Sequence, residues 1–194
     1  MIYKYRSLAN FQFLTDILLN ERLYAANYLD LNDPMEGHYL YPKGKLNGKM
    51  QERLNGQKMK TRICSLTASS DNLLMWSHYA DGARGVLLGM DIVGDAVEEV
   101  IYREELPVYG LDCETAQELF TYKLSAWSYE EEYRVFTESS HVQIRLREIV
   151  LGPKMGRSDK ALVIKLIGRL RPDFKKGETA PNCMGERCTK FSLE

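Results

Sequence analysis

The chain has 194 residues, a net charge of −1 at pH 7 and a hydrophobic fraction of 44%. These values are typical of a soluble globular protein and exclude a global attraction to nucleic acid or to anionic membranes, while a local basic patch stays open. No apolar run reaches the length of a membrane span, and the N-terminus does not resemble a signal peptide. The sequence therefore predicts one cytoplasmic domain over residues 1–194.

The first third of the chain alternates between strand and helix patterns. Ile2 to Arg6 alternates apolar and polar residues and predicts a strand, and helical spacing of apolar residues over 8–18 predicts an amphipathic helix. Residues 22–25 predict a short extended segment, and Asn32-Asp33-Pro34 indicates a turn. Residues 42–60, rich in glycine and lysine, predict a mobile excursion with one short helix.

The remaining patterns complete an α+β fold. Further helices are predicted from a cap at Ser70 or Asp71 to Ala80, over 114–123, and from Ser158 to about Leu170. Further strands are predicted over 62–67, 85–90, 97–102, 133–137 and 142–151. About four helices among six to eight strands predict a mixed, mostly antiparallel and possibly split sheet. Residues 152–194 are predicted to form a C-terminal helix and tail.

The acidic segment from Trp127 to Phe136 carries the strongest functional signal. If it is extended, Glu130 and Glu132 share one face of a strand and Glu131 points away. Two carboxylates on one buried face repel each other, so a substrate's hydroxyl groups or a developing positive charge would hold them together in an active site. A solvated charge run leading into a strand is an equal alternative.

Motifs in four segments resemble a bacterial family, the domain of unknown function 2971, over roughly residues 2–152. The motifs follow the family order: Tyr3-Lys4-Tyr5-Arg6-Ser7-Leu8, Asn32-Asp33-Pro34-Met35-Glu36, Leu73-Leu74-Met75-Trp76-Ser77-His78-Tyr79-Ala80 and Trp127-Ser128-Tyr129-Glu130-Glu131-Glu132-Tyr133-Arg134. Met35 stands where the family has an aromatic residue. The resemblance implies little chemistry because members of the family are mostly uncharacterised.

A second resemblance does imply chemistry. Arginine on the first strand, Ser-x-Thr on a middle strand and Glu-x-Glu at a later strand are similar to ADP-ribosyltransferases of the arginine–serine–glutamate class, which use NAD as a substrate. The resemblance implies that Arg6 holds an NAD phosphate and Ser65 positions the ribose. Glu132 would stabilise the oxocarbenium-like transition state, and Glu130 would orient or deprotonate an acceptor, either protein or nucleic acid.

Four more residues complete the predicted NAD site. Tyr3 or His78 would handle NAD if the chain followed the histidine–tyrosine–glutamate class instead. Thr67 stands where serine is usual in the Ser-x-Ser motif, and Trp76 can line a cleft beside His78. The predicted function is therefore an ADP-ribosyltransferase or NAD glycohydrolase of a toxin or phage-defence type, with no obligatory metal.

Two other classes of function stay open. A binding module for nucleic acid or protein would use a basic patch of Lys43, Lys45, Lys49, Arg53, Lys58, Lys60 and Arg62. A metal-dependent hydrolase or nuclease would use Asp33, Glu36 and His38 with the Glu130–Glu132 pair, although no metal-ligand spacing is recognisable. Cys183 and Cys188 predict thiols in a C-terminal loop more strongly than a zinc site.

Overall fold

A computed structural model describes residues 1–42 and 47–193, and it confirms the predicted α+β class with a mostly antiparallel sheet. Its helices are α1 (Phe11–Asn20), α2 (Gly48–Lys60), α3 (Leu73–Tyr79), α4 (Ala116–Leu119) and α5 (Arg157–Leu170), with 3₁₀-helices at Tyr28–Asp30 and Ser125–Glu130. Its strands are β1 (Ile2–Arg6), β2 (Arg22–Tyr24), β3 (Ala26–Asn27), β4 (Arg62–Thr67), β5 (Val86–Ile92), β6 (Glu98–Glu99), β7 (Ile101–Arg103), β8 (Tyr122–Leu124), β9 (Glu132–Thr137), β10 (His141–Leu151), β11 (Lys175–Glu178) and β12 (Thr189–Ser192). Among these described helices none is long and apolar enough to cross a bilayer.

The chain forms two compact units, and each is assembled from separate stretches of sequence. The first unit contains residues 1–23, 66–93 and 143–194, and the second contains residues 24–65 and 94–142. The single domain predicted over residues 1–194 stays a prediction.

The first unit is built on antiparallel strands in the order β11, β12, β10, β5 and β1. Its central strand β5 is buried from Val86 to Met90, which agrees with the apolar run in the sequence. Helices α1 and α5 contact each other and bury apolar side chains at helical spacing, among them Leu14, Leu18, Val163 and Ile167. Amphipathic periodicity thus explains why these helices form where the sequence predicts them.

The second unit uses shorter strands. Strand β3 pairs with β4, and β6 pairs with β9, in both cases antiparallel, whereas β7 and β8 form a separate parallel ladder. An apolar cluster joins α2 and β4 to α4 through Leu54, Ile63, Tyr109, Cys113, Ala116, Leu119 and Phe120. Short strands leave much of this unit to loops, which is where functional residues often lie.

Three predicted elements differ from the structure in the second unit. The lysine-rich excursion contains a full helix, α2, because Asn47 caps it by accepting a hydrogen bond from the Met50 backbone. In place of the helix predicted over 114–123, only the short helix α4 forms, and a Thr115–Glu118 capping box marks its start. The chain then continues into strand β8. The strand predicted over 97–102 divides into β6 and β7.

The C-terminal tail differs as well. Beyond α5 it forms an antiparallel hairpin of β11 and β12, and β12 pairs with β10. All four residues of β11 are exposed, so this edge strand lacks the apolar alternation that would have predicted it.

Candidate functional site

The sequence predicted an extended acidic segment, but in the structure the residues up to Glu130 are not extended. Residues Ser125–Glu130 form a 3₁₀-helix, Glu131 adopts the left-handed conformation at φ 44°, and β9 begins at Glu132.

 This left-handed turn at Glu131 separates Glu130 from Glu132. Glu130 and Glu132 are both buried as a result, at 4% and 3% exposure, whereas Glu131 faces solvent. The turn at Glu131, and not the alternation of side chains along a strand, therefore directs both carboxylates into the interior of the second unit.

One lysine holds the two carboxylates together. The Lys123 ammonium donates hydrogen bonds to Oε2 of Glu130 and, at 2.8 Å, to Oε2 of Glu132. The same ammonium lies 4.9 Å from the centre of the Trp127 ring. The Lys123 side chain is only 6% exposed. The positive charge that the carboxylate pair needs is therefore supplied by the protein itself.

Arg134 fixes the other side of Glu132. Its Nε donates to Oε1 of Glu132 at 2.8 Å, and its two terminal nitrogens donate to both oxygens of Glu36 at 2.7 and 2.8 Å. It also donates to the Phe120 carbonyl at 2.6 Å, and its side chain is 1% exposed. A planar guanidinium suits such forked pairing with carboxylates. We call Glu36, Lys123, Glu130, Glu132 and Arg134 the ion network.

Within the ion network, the pKa values of Glu36 and Glu132 shift in opposite directions. Burial alone would raise the pKa of Glu132, but the attraction of Arg134 and Lys123 outweighs burial and holds this pKa at about 2. Burial raises the pKa of Glu36 above its usual value, because Arg134 offsets burial only in part. The pKa of Lys123 is raised against the effect of burial by Glu132 and Glu130. Glu132 is therefore the fixed negative charge of the ion network.

Lys123 also lines a narrow cleft in the second unit. The cleft has a free volume of about 10 Å³, which is room for roughly one water-sized group and far below the roughly 300–1,000 Å³ of ligand pockets. Its other lining residues come from the Asn-Asp-Pro-Met-Glu turn and two later segments: Asp33, Met35, Gly37, His38, Glu105, Leu106, Pro107, Tyr122 and Leu124. The ion network thus reaches a cleft through the lysine that bridges its acids.

No family model, curated protein or solved structure matches this chain. Both resemblances, to the domain of unknown function 2971 and to ADP-ribosyltransferases, therefore stay predictions from motifs. The predicted site residues divide between the units: Ser65, Glu130 and Glu132 belong to the second unit, and Arg6, Tyr3, Thr67, Trp76 and His78 belong to the first.

In the first unit, Tyr3 and Thr67 are direct partners across β1 and β4. Thr67 is 1% exposed, and its hydroxyl accepts a hydrogen bond from the Ser69 backbone. The Tyr3 ring also approaches Gly89, where an added Cβ would lie 3.1 Å from the ring and 2.6 Å from the Glu148 side chain. The missing side chain of Gly89 therefore leaves room for a tyrosine and a buried acid, Glu148, which the sequence did not single out.

The other predicted residues of the first unit have different surroundings. The Arg6 guanidinium lies 5.3 Å from the centre of the Phe13 ring. Trp76 is 2% exposed and meets the Tyr5 ring edge-on at 5.0 Å, so it packs as a core residue. His78 is exposed and lies 6.4 Å from the Tyr79 ring. In the second unit, Ser65 is half-buried on β4.

The predicted basic patch is smaller than the sequence suggested. Lys58 is buried, donates to the Gly37 carbonyl at 2.9 Å and lies 4.7 Å from the centre of the Tyr28 ring, so it is not a surface charge. Arg62 is half-buried and donates to the Ala25 carbonyl. Lys43 and Lys45 lie outside the described residues. The exposed basic residues that remain on α2 are Lys49, Arg53 and Lys60.

All four carboxylates among the predicted metal ligands accept hydrogen bonds from protein groups. Both oxygens of Glu36 accept hydrogen bonds from Arg134, and the Asp33 carboxylate accepts one from the Met35 backbone at 2.9 Å. Across the described part of the chain, no group of three or more His, Cys, Asp or Glu residues is arranged to hold a metal ion. Cys183 is exposed and Cys188 is buried.

Proposed function

We propose that this chain is an NAD-consuming enzyme, an ADP-ribosyltransferase or NAD glycohydrolase of a toxin or phage-defence type, in which Glu132 opposes positive charge on the ribose. The observation that supports the proposal is the convergence of Glu130 and Glu132 on one cation, the Lys123 ammonium. Two buried carboxylates that stabilise an ammonium at one point would also stabilise an oxocarbenium ion there.

The chemistry requires a carboxylate that is ionised and fixed before the reaction. When the bond to nicotinamide breaks, the leaving group takes the bonding electrons and the ribose becomes cationic. A fixed charge in a site that excludes water opposes that cation most strongly, because no solvent must reorganise. Glu132, with a pKa of about 2 and with Arg134 bound to it, meets this requirement at neutral pH.

The roles of the ion network follow from its hydrogen bonds. Arg134 acts as a positioning residue because it holds Glu132 from one side and Glu36 from the other. Glu130 would act on the incoming acceptor, which is water in a glycohydrolase and a protein or nucleic-acid group in a transferase. Arg6 and Ser65 stay predictions from the resemblance, with roles in binding the phosphate and the ribose.

The test is to measure nicotinamide release and thermal stability with NAD, for the wild type, Glu132→Gln and the exposed neighbour Glu131→Gln. We expect Glu132→Gln to lower release by about a hundred- to a thousandfold while an NAD-induced rise in Tm persists. Glu131→Gln should behave as the wild type. The proposal is overturned if millimolar NAD neither raises the Tm of the wild type nor is cleaved by it.

A second candidate function is binding of nucleic acid along α2. Lys49, Arg53 and Lys60 are exposed, and at about 100° per residue they lie within about 40° of one another around the helix. The buried residues Leu54 and Lys58 lie on the far side. Three cations along one face of a helix can contact phosphates of a nucleic-acid strand.

This candidate is tested by titrating single- and double-stranded oligonucleotides at several salt concentrations. Replacing Lys49, Arg53 and Lys60 by glutamine should weaken binding and reduce the slope of log K against log salt by roughly two to three. The control is a triple glutamine variant of Arg157, Lys165 and Arg169, which are exposed on α5 but span about 120° of that helix instead of about 40°. An equal effect of both triple variants would remove α2 as the binding face.

A further inference from the structure

Lys123 occupies the point at which the proposed reaction needs a different cation. Its ammonium bonds both acids of the pair, and both oxygens of Glu132 accept hydrogen bonds from Lys123 or Arg134. Glu132 is 3% exposed. A substrate therefore cannot reach Glu132 while Lys123 stays in place.

The surroundings of Lys123 provide another position for its ammonium. The cleft that Lys123 lines is also lined by two further acids, Asp33 and Glu105. A lysine side chain is a flexible stem with a compact charge, so it can exchange one acidic partner for another without movement of the backbone. Glu130 and Glu132 hold the ammonium in the free protein, and Asp33 and Glu105 border the cleft that the same side chain lines.

The element that carries Lys123 is small. Strand β8 has three residues and pairs with β7 in a ladder separate from the antiparallel pairs of the second unit. A short ladder has few hydrogen bonds to break, so its local opening requires less free energy than opening of a central strand. By contrast, Arg134 lies within the six-residue strand β9 and is 1% exposed, so it remains with Glu132 when Lys123 leaves.

We infer that Lys123 is a displaceable gate: it closes the Glu130–Glu132 pair in the free protein, and its ammonium moves toward Asp33 and Glu105 when a cationic substrate enters. The inference rests on the proposed function, and it adds an autoinhibitory contact to that function. The substrate is then recognised by its own positive charge, because only a cation can replace the ammonium between two carboxylates. In NAD this charge lies on the nicotinamide ring and passes to the adjoining ribose as the bond between them breaks.

The test compares NAD affinity and the separate values of kcat and KM for the wild type, Lys123→Met and Lys123→Arg. Methionine keeps the length and apolar stem of lysine but cannot close the acid pair, so we expect NAD binding about tenfold tighter or more. Arginine bonds the pair through a wider fork, and we expect binding at least severalfold weaker. Circular dichroism and Tm establish that each variant is folded.

A thermodynamic cycle tests where the ammonium goes. Glu105 is exposed, so Glu105→Gln should leave the stability of the free protein unchanged. It should weaken NAD binding severalfold in the wild type but not in Lys123→Met, because coupling between the two residues exists only in the bound state. Equal effects of Glu105→Gln in both backgrounds would contradict the second position of the gate.

The outcomes separate the gate from the proposed function. If the wild type and Lys123→Met bind NAD equally, the gate is wrong and the NAD-consuming enzyme stands. If Lys123→Met binds NAD about tenfold or more tightly than the wild type, the gate is supported as a closed state. If neither variant nor the wild type binds or cleaves NAD, the proposed function fails and the gate fails with it. If Lys123→Met is unfolded, Lys123→Arg and the Glu105→Gln comparison in the wild type decide the matter, and unchanged affinity in both overturns the gate.

Discussion

The first unit buries apolar side chains along its central strand, whereas the second buries the ion network beside its apolar cluster. In the first unit, Val86, Leu88 and Met90 of the central strand β5 are fully buried and apolar. In the second unit, β9 places Glu132 and Arg134 at 3% and 1% exposure. The ion pair Arg147–Asp91 of the first unit lies on its surface, with side chains about 40% exposed.

This difference indicates which unit is built for stability alone. Well-packed apolar residues stabilise a fold at least as well as a buried ion pair of similar volume, because charges lose their hydration on burial. A protein that needed only stability would fill the second unit as it fills the first. Departures from that rule are expected at functional sites, so the ion network is the better place to look for chemistry.

The largest expected effect comes from removing Arg134. Arg134→Met leaves Glu36 and Glu132 buried with Lys123 as their only remaining partner in the ion network, and we expect a loss of about 3–5 kcal/mol in the free energy of unfolding. Urea denaturation measures it. Adding Glu36→Gln to Arg134→Met should recover part of the loss, since one unpaired charge disappears. A loss of less than about 1 kcal/mol in the free energy of unfolding is typical of exposed ion pairs and would contradict the burial of the ion network.

A smaller effect is expected from pH. Glu132 has a pKa of about 2 in the folded protein against an ordinary value of 4.5, so the unfolded chain binds more protons between these values. Stability should be fully present above pH 4.5 and fall by about 3 kcal/mol as the pH drops to 2. Urea denaturation from pH 2 to 7 measures this, and Glu132→Gln should flatten this part of the profile.

Glu36 should act in the other direction and in another window. Its pKa is raised in the folded protein, so its contribution to stability is lost as the pH rises above its ordinary value. Glu36→Gln should therefore change the profile above pH 4.5 and Glu132→Gln the profile below it. The exposed Glu131→Gln serves as the control. If Glu36→Gln and Glu132→Gln changed stability over the same pH range, the two carboxylates would titrate as a coupled pair, and the opposite shifts would be contradicted.

The smallest effect is expected from the surface pair of the first unit. Arg147 Nε donates to Asp91 at 2.6 Å, but both side chains are well exposed to solvent. Such pairs contribute roughly 0–1 kcal/mol, so Arg147→Gln should barely change the free energy of unfolding. The same urea titration measures it beside Arg134→Met. A large loss here would remove the contrast between the two units.

Local patterns predicted the first unit better than the second. Strands β1 and β5 and helices α1 and α5 lie close to their predicted positions, because their apolar residues repeat at the period of the element that forms. Strand β8 forms by pairing with β7 from an earlier segment, and a single left-handed residue such as Glu131 has no apolar period, so periodicity could not indicate either.

The candidate site was predictable in part. Glu132 and Arg134 are two residues apart in a strand, so their shared face could have been read from the sequence. Glu36 lies 98 residues before its partner Arg134, and nothing local links them. The sequence predicts Lys123 in a helix, whereas in the structure it lies in β8 and bonds the acid pair. The sequence thus located the acids but missed the cations that hold them.

The position of Trp127 has a practical consequence. The chain has two tryptophans, and each unit contains one: Trp76 in the first and Trp127 in the second. Only Trp127 has the Lys123 ammonium 4.9 Å from its ring centre, and a nearby charge shifts the emission of an indole. In a Trp76→Phe protein, a change in fluorescence on adding ligand that is absent when Lys123 is also replaced by methionine would therefore report, in real time, that the ammonium has moved.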